Sequence, residues 1–189
     1  MNCGCNSNQK PKDEQIQSTF RANKLVPQAH TANTVTTVTF TDEQFDLNNE
    51  YNGVSIFMPK QDGIYQINAT VLFDPTNLND NYRIEAFIMV DDGINNRAVS
   101  TDVKSTFGRA SVNLSTIFNL TTGSRVSVLF FATQSGNLTR FTGTLVSSFE
   151  AARFPFKVNF PIVPDTTISS STPINASDIA LPKPGEILQ

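Results

Sequence analysis

The stretch FMPKQDGIYQINATVLF, residues 57 to 73, predicts a strand end, a turn and then a central strand. The apolar positions after the turn are Tyr65, Ile67, Ala69, Val71 and Phe73, and the polar positions between them are Gln66, Asn68 and Thr70. This period of two is typical of a strand with one face in a hydrophobic core. Pro59 cannot donate a hydrogen bond within a sheet, and Gly63 follows Asp62 as a turn residue.

The same alternation recurs along the middle of the chain, at residues 84–90, 110–114, 126–130 and 141–145. Loop-like segments such as DDGINN, TTGS and TQSGN separate these runs. No amphipathic helix of useful length is evident. Many short strands with regular turns predict an all-β sandwich or barrel.

Five segments, taken in order, resemble strands of the tumour-necrosis-factor-like and complement C1q-like jelly rolls. GIYQINATVLF resembles the Gly-x-Tyr signature strand of that family. The other segments are TFRANK, FDLNNEYNGVSIFMP, LTTGSRVSVLFF and the closing Phe-x-Gly-x-Leu segment RFTGTLV. The resemblance covers about residues 19 to 150 and implies a jelly-roll β-sandwich, of the kind found in spore-surface proteins of bacteria.

The resemblance also implies roles for particular residues. The core signature positions are Gly63, Tyr65, Phe73, Gly123, Phe141 and Gly143. The family forms homotrimers, and the row Gln66, Asn68 and Thr70 would face the trimer axis. This row is aromatic or aliphatic in the cytokine members, so its polarity here predicts contacts through water and side-chain hydrogen bonds.

Composition divides the chain into three predicted parts. Residues 1–18 form a polar N-terminal arm, residues 19–153 form the jelly-roll domain, and residues 154–189 form an extended C-terminal arm that holds six of the ten prolines. Cys3 and Cys5 are too close in sequence to bridge each other without strain. They are therefore either solvated thiols or groups that cross-link or share a metal between subunits.

The C-terminal arm begins with a segment, FPFKVNFPIV, in which alternate residues are apolar. These residues are Phe154, Phe156, Val158, Phe160 and Ile162. A solvated linker would not carry three phenylalanines in this pattern. We expect the segment either to dock on a neighbouring subunit or to cover the base of its own domain.

Charge and hydropathy exclude several classes of function. The 14 Lys and Arg residues are scattered along 189 residues with a net charge of -3, which argues against a nucleic-acid partner. No run of 18 apolar residues predicts a membrane-spanning helix, and the polar N-terminus predicts no secretory signal. The expected location is a spore or cell surface reached without such a signal, or a phage particle.

Residues capable of catalysis are sparse. With one histidine, His30, which we expect at the surface near a strand edge, a catalytic triad is not expected. The sequence therefore predicts no enzyme and no cofactor. Asp91 and Asp92 in DDGINN have the oxygen ligands that calcium prefers, but Asp-Gly is also an ordinary hairpin pair, which is the favoured interpretation.

Two functions stay open at this point. The first is a structural subunit whose arms join neighbouring subunits or other surface proteins in a spore coat, exosporium or filament. The second is a trimeric head that binds a receptor or a carbohydrate through loops such as Asp74–Tyr82 and Asp91–Arg97.

Overall fold

A computed structural model describes residues 17–139 and 145–155, in which eleven strands form two sheets. The larger sheet contains β1 (Thr19–Asn23), β2 (Gln28–His30), β4 (Asp42–Asp46), β5 (Gly63–Pro75), β8 (Ala110–Leu120), β10 (Gly136–Thr139) and β11 (Ser148–Arg153). The smaller sheet contains β3 (Val35–Thr37), β6 (Tyr82–Asp91), β7 (Asn96–Thr106) and β9 (Arg125–Ala132). These ranges include no helix able to cross a membrane.

The central strand of the larger sheet is β5, and every pairing that it makes is antiparallel. On one side β8 pairs along Gly63–Phe73. On the other side β11 pairs with the first half of β5 and β10 pairs with the second half. The order continues from β11 to β1 and β4, and from β10 to β2, whereas the smaller sheet runs β3-β9-β6-β7.

Within the described residues, the core between the sheets combines nine buried aromatic rings with smaller aliphatic side chains. The predicted inward positions of β5 are buried, since Tyr65, Ile67, Val71 and Phe73 have no exposed surface and Ala69 is 3% exposed. The ring of Phe20 stacks on Tyr51 and Phe57, with centroids 4.8 and 4.7 Å away, respectively. The burial of alternate residues confirms the alternation predicted for β5.

The surface position predicted for His30 is wrong, because its side chain is only 3% exposed. Its ring lies edge-on to Phe73 and Phe130, and Nδ1 is 2.9 Å from the hydroxyl of Thr36. Pairing of the three-residue strand β2 with β10 places this residue against the core. Burial lowers the pKa of His30 below its usual value.

Strand register places the loops at two distinct ends of the sandwich. The end where β5 begins, termed the base, also holds the Asp92–Asn95 hairpin turn and the turn between β8 and β9. Asp62 joins two of these base segments, since its carboxylate accepts bonds from the backbone N–H and hydroxyl of Thr122. The opposite end, termed the tip, holds residues 76–81 and 107–109.

Candidate subunit interface on the larger sheet

The outer face of the larger sheet carries a row of polar side chains that crosses four strands. Register places Arg21 of β1 beside Glu150 of β11, then Asn68 of β5, then Ser115 of β8. Arg21 pairs with Glu150 at 3.2 Å, and the Ser115 hydroxyl donates to Asn68 Oδ1 at 2.8 Å. The amide of Asn68 reaches Glu150 at 3.4 Å, so the row is connected from β1 to β8.

A second row lies next to the first, toward the tip. Asn23, Ser148, Thr70 and Asn113 are neighbours across the same four strands. Thr70 donates its hydroxyl hydrogen to Asn113 Oδ1 at 3.0 Å, and the backbone N–H of Asn113 donates to Asp102 at 3.0 Å. The side chains of Thr70 and Asn113 thus orient each other through a hydrogen bond.

The third row, toward the base, is less polar. It consists of Thr19, Ala152, Gln66 and Ile117. Ile117 is 63% exposed, although its outward neighbours on β8 are polar. Beside Ala152 lies a recess of about 170 Å³, and its lining residues are Thr19, Phe20, Phe45, Gln66, Asn68, Glu150, Ala151 and Ala152.

The predicted trimer-axis residues Gln66, Asn68 and Thr70 all point to this outer face. Each belongs to a different row, and Asn68 and Thr70 are half-buried by their neighbours. Arg21, Glu150, Ser115 and Ile117 belong to the same surface, although the sequence did not predict them there. Of these four residues, only Ile117 stands out in the sequence, because it is an apolar residue at an otherwise polar, outward position of an alternating strand.

The structure explains why two signature positions near the base hold tyrosine and glycine. Tyr65 is fully buried, and its hydroxyl donates to the carbonyl of Gln61 at 2.9 Å and accepts from Ser18 at 3.1 Å. Burial raises the pKa of this phenol. A Cβ on Gly63 would lie 2.5 Å from Nε of Arg153, whose guanidinium bonds to the carbonyl of Asp62 through Nε and Nη2.

The remaining signature positions divide between core, turn and undescribed residues. Phe73 has no exposed surface. Gly123 has φ of 83°, a left-handed conformation that disfavours residues with a Cβ, and its N–H donates to the carbonyl of Pro59. Phe141 and Gly143 lie outside the described residues, and the buried ring of the last described strand is Phe149.

The two candidate calcium ligands use their carboxylates within their own hairpin. Asp91 accepts the N–H of Gly93 at 2.9 Å, and Asp92 accepts the N–H groups of Ile94 and Asn95 at 3.0 and 2.7 Å, respectively. These backbone bonds hold the pKa of Asp92 below its usual value. Residues 17–139 and 145–155 contain no group of three or more His, Cys, Asp or Glu side chains suited to a metal ion.

The two loops considered for recognition lie at opposite ends of β6. Residues 76–81 are at the tip, where the carbonyl of Leu78 accepts the N–H of Gly108 at 3.0 Å. Phe107 and Leu78 are 69% and 48% exposed, respectively. The Asp91–Arg97 loop is at the base, so the two loops do not form one continuous site.

The described ends of both arms lie side by side at the base. The N–H of Arg153 donates to the carbonyl of Ser18 at 2.9 Å, and Phe154 follows with an exposed fraction of 40%. A cleft of about 400 Å³ lies between the two chain segments, and its lining residues are Gln17, Ser18, Thr19, Ala152, Arg153, Phe154 and Pro155. Cys3, Cys5, Phe156, Val158, Phe160 and Ile162 lie outside the described residues.

Comparison of the structure with solved structures identifies the fold of the chain. Murine APRIL at pH 5.0, of the tumour-necrosis-factor family, aligns with 73% of this chain and 99% of its own at 13% identity and a TM-score of 0.56. The fold is a C1q/TNF-like jelly roll. The globular domain of zebrafish complement 1qA aligns with 75% of this chain and 99% of its own, at 15% identity and a TM-score of 0.53. No protein-family model and no curated protein matches the chain.

The structural matches confirm the jelly-roll fold inferred from the five sequence segments. At 13% and 15% identity they indicate fold and nothing finer. Because one fold hosts many functions, the role of the chain has to be argued from its own surfaces.

Proposed function

We propose that the chain is a non-enzymatic structural protein whose jelly-roll domain forms a homotrimeric head. In this proposal the arms join the head to neighbouring subunits or other proteins of a surface assembly, such as a spore coat, an exosporium or a filament. The resemblance to C1q/TNF-like proteins and the exposed face of the larger sheet support the trimer.

The observation that supports the proposal is that the described ends of the two predicted arms lie next to each other. The N–H of Arg153 donates to the carbonyl of Ser18, so the chain enters and leaves the domain at the base of the sandwich. In a homotrimer all of the arms would start from the same end. Such an arrangement suits a subunit that attaches at its base and leaves its tip accessible.

Residues of the two arms could attach the head through two kinds of contact, namely disulfides and an added strand. Cys3 and Cys5 would form disulfides between subunits in an oxidising environment. The apolar positions from Phe154 to Ile162 would add an extended segment to a neighbouring sheet edge. Both contacts are between chains, so they would make the size of the assembly depend on protein concentration and on oxidation.

Solution mass tests the proposal directly. Light scattering on a sizing column, with and without reductant, should give a trimer in reductant and larger species after oxidation. The Cys3→Ser/Cys5→Ser variant should remain a trimer in both conditions. A monomer in reductant would contradict the homotrimer, and oxidation that produced equally large species from this variant would contradict the cysteine cross-link.

The tip supports a second candidate function, a head that binds a carbohydrate or receptor. Exposed Phe107 and Leu78 sit on loops that are tied together by the Gly108–Leu78 backbone bond and by the Arg109–Asp74 ion pair. Aromatic residues such as phenylalanine are enriched at protein interfaces, and Phe107 presents such a side chain. A glycan array tests the carbohydrate form, because Phe107→Ala/Leu78→Ala should lose any binding that Val103→Ala, at another exposed apolar site, retains.

A further inference from the structure

We propose that Asn52 is a self-modifying residue, which loses ammonia and becomes aspartate in a reaction that the folded loop around it accelerates. Asn52 and Gly53 form the one Asn-Gly pair in the sequence, and the side chain of Asn52 is exposed. Deamidation uses the side-chain carbonyl as electrophile, the N–H of the next residue as nucleophile and the side-chain NH2 as leaving group. This reaction takes place within one chain, so it does not depend on the proposed homotrimer.

The electrophile, the side-chain carbonyl of Asn52, accepts three backbone hydrogen bonds. The N–H groups of Val54, Ser55 and Ile56 donate to its Oδ1 at 3.0, 2.8 and 3.0 Å, respectively. A concave group of backbone N–H donors favours a negatively charged oxygen. Attack on Cγ moves negative charge onto Oδ1, so the three donors stabilise the tetrahedral intermediate as an oxyanion hole does.

Buried aromatic residues hold the two ends of this loop in place. Tyr51 and Phe57 form an antiparallel bridge, and they are 8% and 0% exposed, respectively. The Tyr51 hydroxyl donates to the carbonyl of Phe40 at 2.9 Å, and the N–H of Asn52 donates to the carbonyl of Ile56 at 3.0 Å. The three donors to Oδ1 are therefore in position before the reaction starts, which is the condition under which such bonds accelerate a reaction most.

The nucleophile and the leaving group are not held by other bonds. Within residues 17–139 and 145–155, no group accepts a hydrogen bond from the N–H of Gly53 or from Nδ2 of Asn52. Gly53 also has no side chain that would shield Cγ of Asn52. Attack by the Gly53 nitrogen and departure of Nδ2 therefore break no hydrogen bond within the described part of the chain.

The reaction balances with water as the only co-reactant. A base in the solvent removes the proton from the Gly53 nitrogen, which then bonds to Cγ of Asn52 while the carbonyl electron pair moves onto Oδ1. The carbonyl forms again as the Cγ–Nδ2 bond breaks, and Nδ2 takes a proton from water and leaves as ammonia. Water then adds to Cγ of the resulting succinimide ring, the bond from Cγ to the Gly53 nitrogen breaks, and the nitrogen regains its proton. The net change is asparagine plus water to aspartate plus ammonia.

The loop also suits the aspartate product. A carboxylate oxygen at residue 52 would accept the same three N–H groups, and hydrogen bonds to a charged acceptor are stronger than those to a neutral one. Addition of water to the main-chain carbonyl of the ring would instead give isoaspartate, which inserts a methylene group into the backbone and moves the carboxylate away from the donors. The loop therefore favours normal aspartate.

The rate of deamidation in the folded and the unfolded chain tests the acceleration. Mass spectrometry of a protease digest detects the exchange of NH2 for OH at residue 52 after incubation in mildly alkaline buffer, with and without unfolding urea. The folded chain should react at least about tenfold faster, because the three bonds to Oδ1 belong to the folded loop. An equal or slower rate in the folded chain would overturn the proposal.

The Leu78→Gly variant provides a matched control, because it creates a second exposed Asn-Gly pair at Asn77 in the same folded domain. Oδ1 of Asn77 accepts one backbone N–H, from Asn79 at 3.0 Å, and its Nδ2 donates to Asp80 at 2.7 Å. In this variant Asn52 should deamidate at least about tenfold faster than Asn77. Similar rates at the two sites would show that the Asn-Gly pair alone governs the reaction, and would overturn the role of the loop.

The Asn52→Asp variant tests the fit of the product. Its urea midpoint at neutral pH should be equal to or above that of the wild type, since the carboxylate keeps the three donors. A lower midpoint would contradict the stabilisation of aspartate by this loop.

Discussion

Lys24 carries a buried charge, and removing it should change how the stability of the domain depends on pH. The side chain is 1% exposed, and Nζ donates three bonds of 2.9 Å to Gln28 Oε1, Thr39 Oγ1 and the carbonyl of Thr39. These acceptors are neutral oxygens. Burial without a counter-charge lowers the pKa of Lys24 to about 8 from its ordinary value of 10.5.

The sign and size of the effect follow from linkage between folding and protonation. The unfolded chain holds this proton more tightly than the folded domain, so stability rises with pH between the two pKa values. A shift from 10.5 to about 8 predicts a gain of about 2 kcal/mol in the free energy of unfolding from about pH 7 to about pH 9.5. The window stops below the ordinary pKa of tyrosine, about 10.

Urea denaturation across this window measures the gain. The Lys24→Met variant has no proton to lose, so its pH dependence should lack the wild-type rise of about 2 kcal/mol. Lys104→Met, which removes an exposed lysine from β7, is the control and should follow the wild-type curve. Parallel pH curves for the wild type and Lys24→Met would refute the buried-charge interpretation.

Three further predictions concern the core and the base. His30 has a lowered pKa, so the folded state resists protonation and stability should fall as pH drops below about 6.5; denaturation of His30→Gln between about pH 7 and pH 5 should lack this loss. Gly63→Ala should cost about 1–3 kcal/mol by displacing the guanidinium of Arg153, and a double-mutant cycle with Arg153→Ala should show that the two costs are not additive. Phe20→Ala should cost about 3–5 kcal/mol in thermal or urea unfolding, whereas Phe107→Ala should cost less than about 0.5 kcal/mol; equal losses would contradict the stacking described for Phe20.

The core strands could be predicted from the sequence because burial of one face of a strand makes every second residue apolar. In β5 the inward set from Tyr65 to Phe73 is complete in the sequence. The same holds for Ile84 to Val90 in β6 and Val126 to Phe130 in β9. Short strands with few inward positions carry no such period, and for this reason the burial of His30 in β2 was not predicted.

The residues of the candidate interface could be predicted only in part from the sequence, because the interface depends on pairing between distant segments. The outward row of β5 is visible as Gln66, Asn68 and Thr70. Nothing local indicates that Arg21 and Glu150 lie beside Asn68, since register between β1, β11 and β5 is a property of the assembled sheet. The recess likewise exists only once Ala152 lies between Thr19 and Gln66.

The amino-acid sequence alone therefore determined the all-β class and the jelly-roll resemblance, and it predicts a division into a domain with two arms. Alternation and composition are local properties, and they persist however the strands are later arranged. Tertiary structure alone decided that both arms start at the base, that the two candidate loops are at opposite ends, and that Ile117 and the recess share one face. These relations come from non-local hydrogen-bonded register, which joins residues 78 to 133 positions apart in the pairs of β11 with β5 and β1.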